Sequence, residues 1–297
     1  MDPYTVIYKL GGKNCVTRAV TFRCNNRCIS CIAEPYLRKL KDSSTSQIKK
    51  ILSEFSSTTS AIDINGGEPT LRSDFLHLVD FLRQRYPKAH LNILTNGRLF
   101  FYEDYVKRLK KVLPKSHMLL VTLYGQNARV HDAITRTPNS FRQTKKGIVN
   151  LVNNGLNVEV RVVVNRLNFR YLPDISTMAV NDISSLSRFV FINLKVIGDA
   201  YINRKFVFVK TSEIQPYLKK ALDVLEGTSL YYKTRLFHFP FCIVERRHWD
   251  CVEGVTVPLS EIHFKSSCNL CKMRSKCSGI WKSYAEIAGT KEFRPIK

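Results

Sequence analysis

Residues 19–31 read Ala19-Val20-Thr21-Phe22-Arg23-Cys24-Asn25-Asn26-Arg27-Cys28-Ile29-Ser30-Cys31. A short apolar run ends in three cysteines separated by three and then two residues, the pattern of a strand feeding a thiolate cage. A four-iron Fe–S cluster is normally held by four Cys thiolates, so a loop that supplies three leaves one iron open to a ligand that is not protein. An open metal position is where chemistry takes place, by the logic that separates catalytic from structural zinc sites. The same three residues also suit a zinc site lacking its fourth ligand, or inert buried thiols, and spacing by itself does not separate these readings.

Upstream, Thr5 to Leu10 and Cys15 to Phe22 flank Gly11-Gly12 and read as a β-hairpin that leads into the cysteine loop. Downstream the pattern alternates. A helix is expected from about Ser46 to Phe55, with Ser43-Ser44 as N-cap and Ile48, Ile51, Leu52 and Phe55 on one face, then a strand from Ala61 to Asn65. Helix Asp74 to Arg85, strand Leu91 to Thr95, helix Tyr102 to Lys111, strand Met118 to Leu123, helix Phe141 to Asn153 and strands Val158 to Val164 and Arg188 to Leu194 continue the series. Strands alternating with such helices imply βαβ units and a parallel sheet, and about six units suit an α/β fold of partial (β/α)6, TIM-like barrel type. In that architecture the site gathers at the C-terminal strand ends. The stretches expected there are the cysteine loop, Asn65 to Thr70, Thr95-Asn96-Gly97, Tyr124-Gly125 and Asn165-Arg166.

The chain has 297 residues, enough for one large core plus a small appendage. With 44% apolar and 24% charged residues its composition is that of an ordered globular protein. Lys and Arg total 47 against 24 Asp and Glu, a net +23 that attracts anionic partners at long range. No apolar signal-type segment opens the sequence and no run of about 18 apolar residues occurs, so a cytoplasmic protein without a membrane partner is expected. In a reducing compartment nine cysteines are better explained by metal than by disulfides. Eight of them fall in two groups, and Cys15 stands alone as a plain thiol.

The triplet Cys24-x3-Cys28-x2-Cys31, followed after the next strand by Gly66-Gly67-Glu68-Pro69, resembles the radical S-adenosylmethionine (radical SAM) enzymes. The resemblance implies a [4Fe–4S] cluster on Cys24, Cys28 and Cys31 whose fourth iron chelates S-adenosylmethionine. Reductive cleavage there yields a 5′-deoxyadenosyl radical that abstracts hydrogen from substrate. Adjacent glycines at a strand end let backbone groups approach a ligand without a Cβ in the way, and Glu68-Pro69 fixes the exit direction of the chain. Gly66, Gly67, Glu68 and Pro69 are therefore expected to bind the cofactor, with Asn96 of the Thr95-Asn96-Gly97 strand end. Thr122 is the candidate for the ribose and Arg161, with its guanidinium fork, for the cofactor carboxylate. Thr122 to Gly125, His131-Asp132 and Thr137 to Phe141 resemble the family's fourth strand and the helix start beyond it. His131 also reads as a surface residue and Ser140 as a plain N-cap. Two departures stand out: Ser30 replaces the aromatic residue usual before the third cysteine, and Tyr124 replaces an Asp.

The second group is Cys242, Cys251, Cys268, Cys271 and Cys277. It resembles a shortened SPASM or twitch domain, which implies a second, auxiliary [4Fe–4S] cluster on Cys242, Cys268, Cys271 and Cys277, with Cys251 as the alternative fourth ligand. Tetrahedral zinc would satisfy the same thiols. The expected organisation is a core over 1–200, a connecting helical region over 201–233 and an auxiliary-cluster domain over 234–297. Trp249 and Trp281 are expected to pack rather than to stack on substrate.

The implied function is radical chemistry on a ribosomally made peptide, with a flavodoxin- or ferredoxin-type donor supplying electrons. Only 23 residues precede Cys24, which leaves no room there for the usual N-terminal peptide-recognition domain. Modification of a nucleic acid such as tRNA, which the charge favours, or of a small molecule are the alternatives. A basic zinc protein that binds nucleic acid without catalysis is the rival from another class.

Overall fold

The computed structural model describes residues 4–10 and 12–297. In chain order the elements are β1 (Thr5–Leu10), β2 (Lys13–Thr21), α1 (Thr45–Ser53), β3 (Ala61–Gly66), α2 (Phe75–Arg85), β4 (His90–Thr95), α3 (Glu103–Val112) and β5 (His117–Thr122). Then follow α4 (Ala128–Thr135), α5 (Ser140–Asn153), β6 (Val158–Val164), α6 (Leu172–Asp182), β7 (Arg188–Asn193), α7 (Asp199–Ile202), α8 (Arg204–Val207), α9 (Thr211–Leu225) and β8 (Thr234–Phe237). A two-stranded sheet of β9 (Ile262–His263) and β10 (Ile280–Trp281) precedes α10 (Lys282–Ala288). Strands β1 to β8 follow one another in sequence order through the main sheet. This is the α/β order of the partial (β/α)6 barrel. Among the described residues no helix is long and apolar enough to cross a membrane.

The chain divides into two compact units. The first takes the residues up to Arg27, then Ala33–Leu123 and Thr137–Glu159. In it β1 pairs antiparallel with β2, and β2, β3, β4 and β5 pair parallel. Gly11, half of the expected hairpin turn, lies outside the described residues. The start of α1 carries the expected cap: Gln47 N donates to Ser44 Oγ at 3.3 Å and Ser44 N to Gln47 Oε1 at 2.8 Å, a reciprocal capping box. Its buried face, Ile48 and Leu52, joins Ile62, Ile64, Leu91, Ile93, Leu119 and Val121 among the buried apolar residues of this unit. Each such side chain contributes about 1.5–3 kcal/mol on burial.

The second unit takes Cys28–Ile32, Tyr124–Arg136 and Val160–Lys297. Helices α4 and α6 are additional to those read from sequence. Pro173 at the first turn of α6 looks like a breaker, yet Pro is suited to that position, and the buried Leu172, Ile175 and Ala179 pack α6 on α9. Strand β8 pairs parallel with β7, so the main sheet extends past residue 200 into the region expected to be auxiliary. The irregular stretch after β7 holds two single-turn helices, α7 and α8. Its apolar core gathers Ile29, Tyr124, Val130, Ile134, Leu194, Val196, Ala200 and Val207. A second cluster, Ile243, Ile280, Trp281, Tyr284 and Phe293, holds the C-terminal region. There Trp281 packs as expected.

Two local expectations are corrected. His131 is 1% exposed, not a surface residue, because its Nδ1 accepts the Tyr124 N–H at 3.1 Å. Asn139, in the left-handed region at φ 64°, is the N-cap of α5, and Ser140 is its first residue, fully buried.

Candidate active site and metal centres

In the first unit, Asp42 fixes the exit of β2. Its carboxylate accepts from Phe22 N at 2.9 Å, Thr21 Oγ1 at 2.8 Å and Arg23 Nε at 2.9 Å. Burial opposes ionisation, but these bonds prevail and hold the Asp42 carboxyl below the usual range. The chain then enters Cys24, which is exposed and whose Sγ accepts from Asn26 N at 3.4 Å.

Gly66 and Gly67 lie hard against this exit. Gly67 N donates to Thr21 O at 2.8 Å and Glu68 N to Arg23 O at 2.7 Å. A Cβ on Gly66 would stand 2.2 Å from Thr21 O, and one on Gly67 2.2 Å from Arg23 O. Gly66 also has φ +146°. The glycines therefore permit close backbone approach, as expected, but what approaches is the strand that delivers Cys24.

The Glu68 side chain turns into the protein. It is 1% exposed. One oxygen accepts from Thr70 N at 3.2 Å, Thr70 Oγ1 at 2.6 Å and Thr95 Oγ1 at 2.7 Å, the other from Asn96 N at 2.7 Å. Burial raises its pKa, and these donors act in the opposite sense. Glu68 thus ties the loop after β3 to the end of β4, and Pro69 opens the buried turn that follows.

Asn96 continues the chain of contacts. Its Nδ2 donates to Asn25 Oδ1 at 2.7 Å and lies 3.9 Å from Cys24 Sγ, while its Oδ1 accepts from Arg98 N at 3.0 Å. Arg98 donates through Nη1 to Asn25 O and to Asn26 Oδ1, the latter at 2.9 Å, and through Nε to Gln143 Oε1 at 2.7 Å. Asn25, Asn26, Arg98 and Asp42 were not singled out by sequence. No spacing rule marks them, although two adjacent Asn residues between the cysteines of the triplet offered a hint.

In the second unit the remaining loop cysteines are pinned by backbone. Ile29 N donates to Ile134 O and Ala200 N to Cys31 O, both at 2.9 Å, and Asn203 Nδ2 donates to Ile29 O at 3.2 Å. Tyr124 is buried beside them. Burial drives its phenol well above the ordinary value, and the neighbouring Cys28 and Cys31 side chains push it further. Of the remaining candidates, Thr122 ends β5 in the first unit, and Arg161 lies on β6 in the second, its guanidinium carbon 5.8 Å from the Phe237 ring centroid.

The C-terminal cysteines are more fully defined. Cys242, Cys268, Cys271 and Cys277 line one open cavity of about 390 Å³, walled also by Phe241, Phe264 and Phe293. Cys251 does not line it; its thiol is 2% exposed and lies at Tyr231. Gly279 N donates to Cys277 Sγ at 3.5 Å and Ile296 N to Cys271 Sγ at 3.4 Å. Burial pushes the Cys242 thiol up to about 11, with Cys277 and Cys268 adding to the rise. A cationic metal centre would relieve this crowding by replacing protons. Soft thiolates with backbone N–H donors fit an Fe–S cluster.

The chain matches the family model described as the Radical SAM superfamily over residues 19–178. It is 34% identical over 171 residues to the mycofactocin maturase MftC of Mycolicibacterium smegmatis, covering 56% of this chain and 41% of that protein. It is 24% identical over 240 residues to the AdoMet-dependent heme synthase of Nitratidesulfovibrio vulgaris, covering 80% and 63%. The chain thus spans less than two thirds of the length of either relative. Among solved structures, Streptococcus suis SuiB bound to precursor peptide SuiA aligns with TM-score 0.58 at 15% identity, over 70% of this chain and 45% of that one. SuiB shares the fold. Because the family's own model takes in the cysteine loop, the Gly-Gly-Glu-Pro turn and the strands through β6, the chain belongs to the radical SAM superfamily.

Proposed function

We propose that this chain is a peptide-modifying radical SAM enzyme. Cys24, Cys28 and Cys31 hold a [4Fe–4S] cluster, and Cys242, Cys268, Cys271 and Cys277 hold an auxiliary one in a C-terminal domain. Bound to the first cluster and given one electron by an external flavodoxin- or ferredoxin-type donor, S-adenosylmethionine supplies a 5′-deoxyadenosyl radical that takes hydrogen from substrate. The protein's own part is placement. Asp42 sets the strand exit, Glu68 fixes the Gly-Gly-Glu-Pro loop to the end of β4, and Asn96 and Arg98 hold the first half of the cysteine loop.

The observation that carries the reading is the hydrogen-bonded path from Glu68 through Asn96 to Asn25 and Cys24, which joins the two motifs of the superfamily. A peptide substrate is supported by the maturase among the relatives and by SuiB having been solved with a precursor peptide. The net charge of +23 favours an acidic segment in it. Anaerobic reconstitution followed by S-adenosylmethionine and dithionite tests the claim: a cluster-loaded sample forms 5′-deoxyadenosine. Zinc at both cysteine groups, or no 5′-deoxyadenosine from a loaded sample, overturns it.

A further inference from the structure

The cavity of the four C-terminal cysteines contains an arginine with a buried donor that no acceptor among the described residues meets. Arg274 lines the cavity together with the four cysteines. Its guanidinium carbon lies 3.3 Å from the centroid of the Phe264 ring, so the charged group sits over an aromatic wall. Its Nε is buried and has no hydrogen-bond partner among the described residues. An unsatisfied buried donor on a charged group is costly, and such an atom calls for an acceptor.

The cysteines show where an acceptor would be. Cys271 and Cys277 each accept a backbone N–H, from Ile296 and Gly279, and Cys242 one from Arg294. No such donor to Cys268 is present among the described residues. The cavity thus offers one sulfur lacking a donor and one buried donor lacking an acceptor, on walls that are otherwise largely apolar.

We propose that Arg274 sets the reduction potential of the auxiliary cluster by presenting its Nε–H and its charge to the cluster's sulfur face. The inference rests on the auxiliary-cluster reading above. Reduction adds negative charge to a cage already made of four thiolates, so a fixed cation and an N–H donor stabilise the reduced state more than the oxidised one. Hydrogen bonds to sulfur and net charge are the protein's main controls on such potentials. Arg274 is a positioning and tuning residue: it holds no iron.

The test uses the chain with Cys24, Cys28 and Cys31 replaced by Ala, so that the auxiliary site alone is read, in an EPR-monitored redox titration after anaerobic reconstitution. Arg274→Met keeps the stem over Phe264 and removes charge and donor. Arg274→Lys keeps the charge and removes Nε. The expected result is unchanged iron and sulfide content, with the midpoint potential moved to more negative values in Arg274→Met and by a smaller amount in Arg274→Lys. An unmoved midpoint in loaded Arg274→Met overturns the inference while leaving the auxiliary cluster standing. If Arg274→Met does not load, Arg274→Lys decides by the same criterion, and failure of both to load assigns Arg274 a structural role and overturns the inference. Zinc without iron in the parent chain overturns the auxiliary-cluster reading itself and the inference with it.

Discussion

Asn96, at the end of β4, donates its side-chain amide to Asn25 Oδ1 across 2.7 Å, although 71 positions separate them in sequence. The same Nδ2 lies 3.9 Å from Cys24 Sγ, and the Asn96 backbone N–H is held by Glu68. Asn96 therefore transmits the placement of the Gly-Gly-Glu-Pro loop to the first cysteine. Supports of this kind around metal ligands are worth about 10–100-fold in affinity or activity. Asn96→Ala is expected to lower 5′-deoxyadenosine formation by about that factor. Its iron content after reconstitution, measured beside the rate, should fall less than in Cys24→Ala; full activity would remove Asn96 from the site.

Gly67 sets up a steric prediction. A Cβ there meets Arg23 O at 2.2 Å and the Phe22 carbonyl oxygen at 2.8 Å, both backbone atoms that a rotamer change does not relieve. Gly67→Ala must push the strand exit away from the turn, so absorption near 400 nm after reconstitution is expected to fall by about half, to the share of the auxiliary cluster. Gly155 is the control. It has φ +72° with nothing within 4 Å of a built Cβ, so Gly155→Ala bears only the left-handed backbone cost of about 1–2 kcal/mol and should load normally. Equal behaviour of the two variants would contradict this packing of Gly67 on the strand exit.

Periodicity made most of the fold legible. β6 at Val158–Val164 and the capped start of α1 follow directly from patterns within ten residues. What stayed hidden has long-range causes. Pro173 and the shortness of α4 mask helices whose apolar faces make sense only against packing partners. The two cysteine motifs and the Gly-Gly pair were readable because thiols at short spacing and close backbone approach restrict residue type. The partners of Glu68, Asn96 and Arg98 were not, since a polar side chain in a loop carries no mark of what it will meet 28 to 72 residues away. His131 misled for the same reason: burial of a polar ring depends on the Tyr124 N–H that it caps.

The proposed auxiliary cluster distinguishes Cys242 from Cys251. Cys242 faces the cavity of Cys268, Cys271 and Cys277, whereas Cys251 is closed off at Tyr231. Cys242→Ser should therefore reduce bound iron from about eight to about four atoms per chain, and Cys251→Ser should leave it unchanged. Iron and sulfide analysis of the two reconstituted variants checks this, and the reverse pattern would exchange their roles.

His238 gives a pH dependence whose sign is fixed by its surroundings. It follows β8 with φ 61°, its ring centroid 3.8 Å from that of Trp281 and its Nε2 3.2 Å from Thr256 Oγ1. Burial, with the positive charges of Lys195 and Arg161 adding, lowers its pKa from 6.5 to about 3. Above pH 6.5 the ring is neutral folded or unfolded, and its contribution to stability is fully present. As pH falls below that value the unfolded chain takes up a proton that the folded chain refuses, so stability declines until the folded pKa is passed. Between pH 6.5 and pH 5 the slope amounts to about 2 kcal/mol at most, since each unit is worth about 1.4 kcal/mol. His238→Gln, which cannot be protonated, should flatten this part of the profile in denaturant titrations followed by tryptophan fluorescence. A profile as steep as that of the parent chain would mean that His238 is charged in the folded protein, and that Lys195 and Arg161 do not govern it.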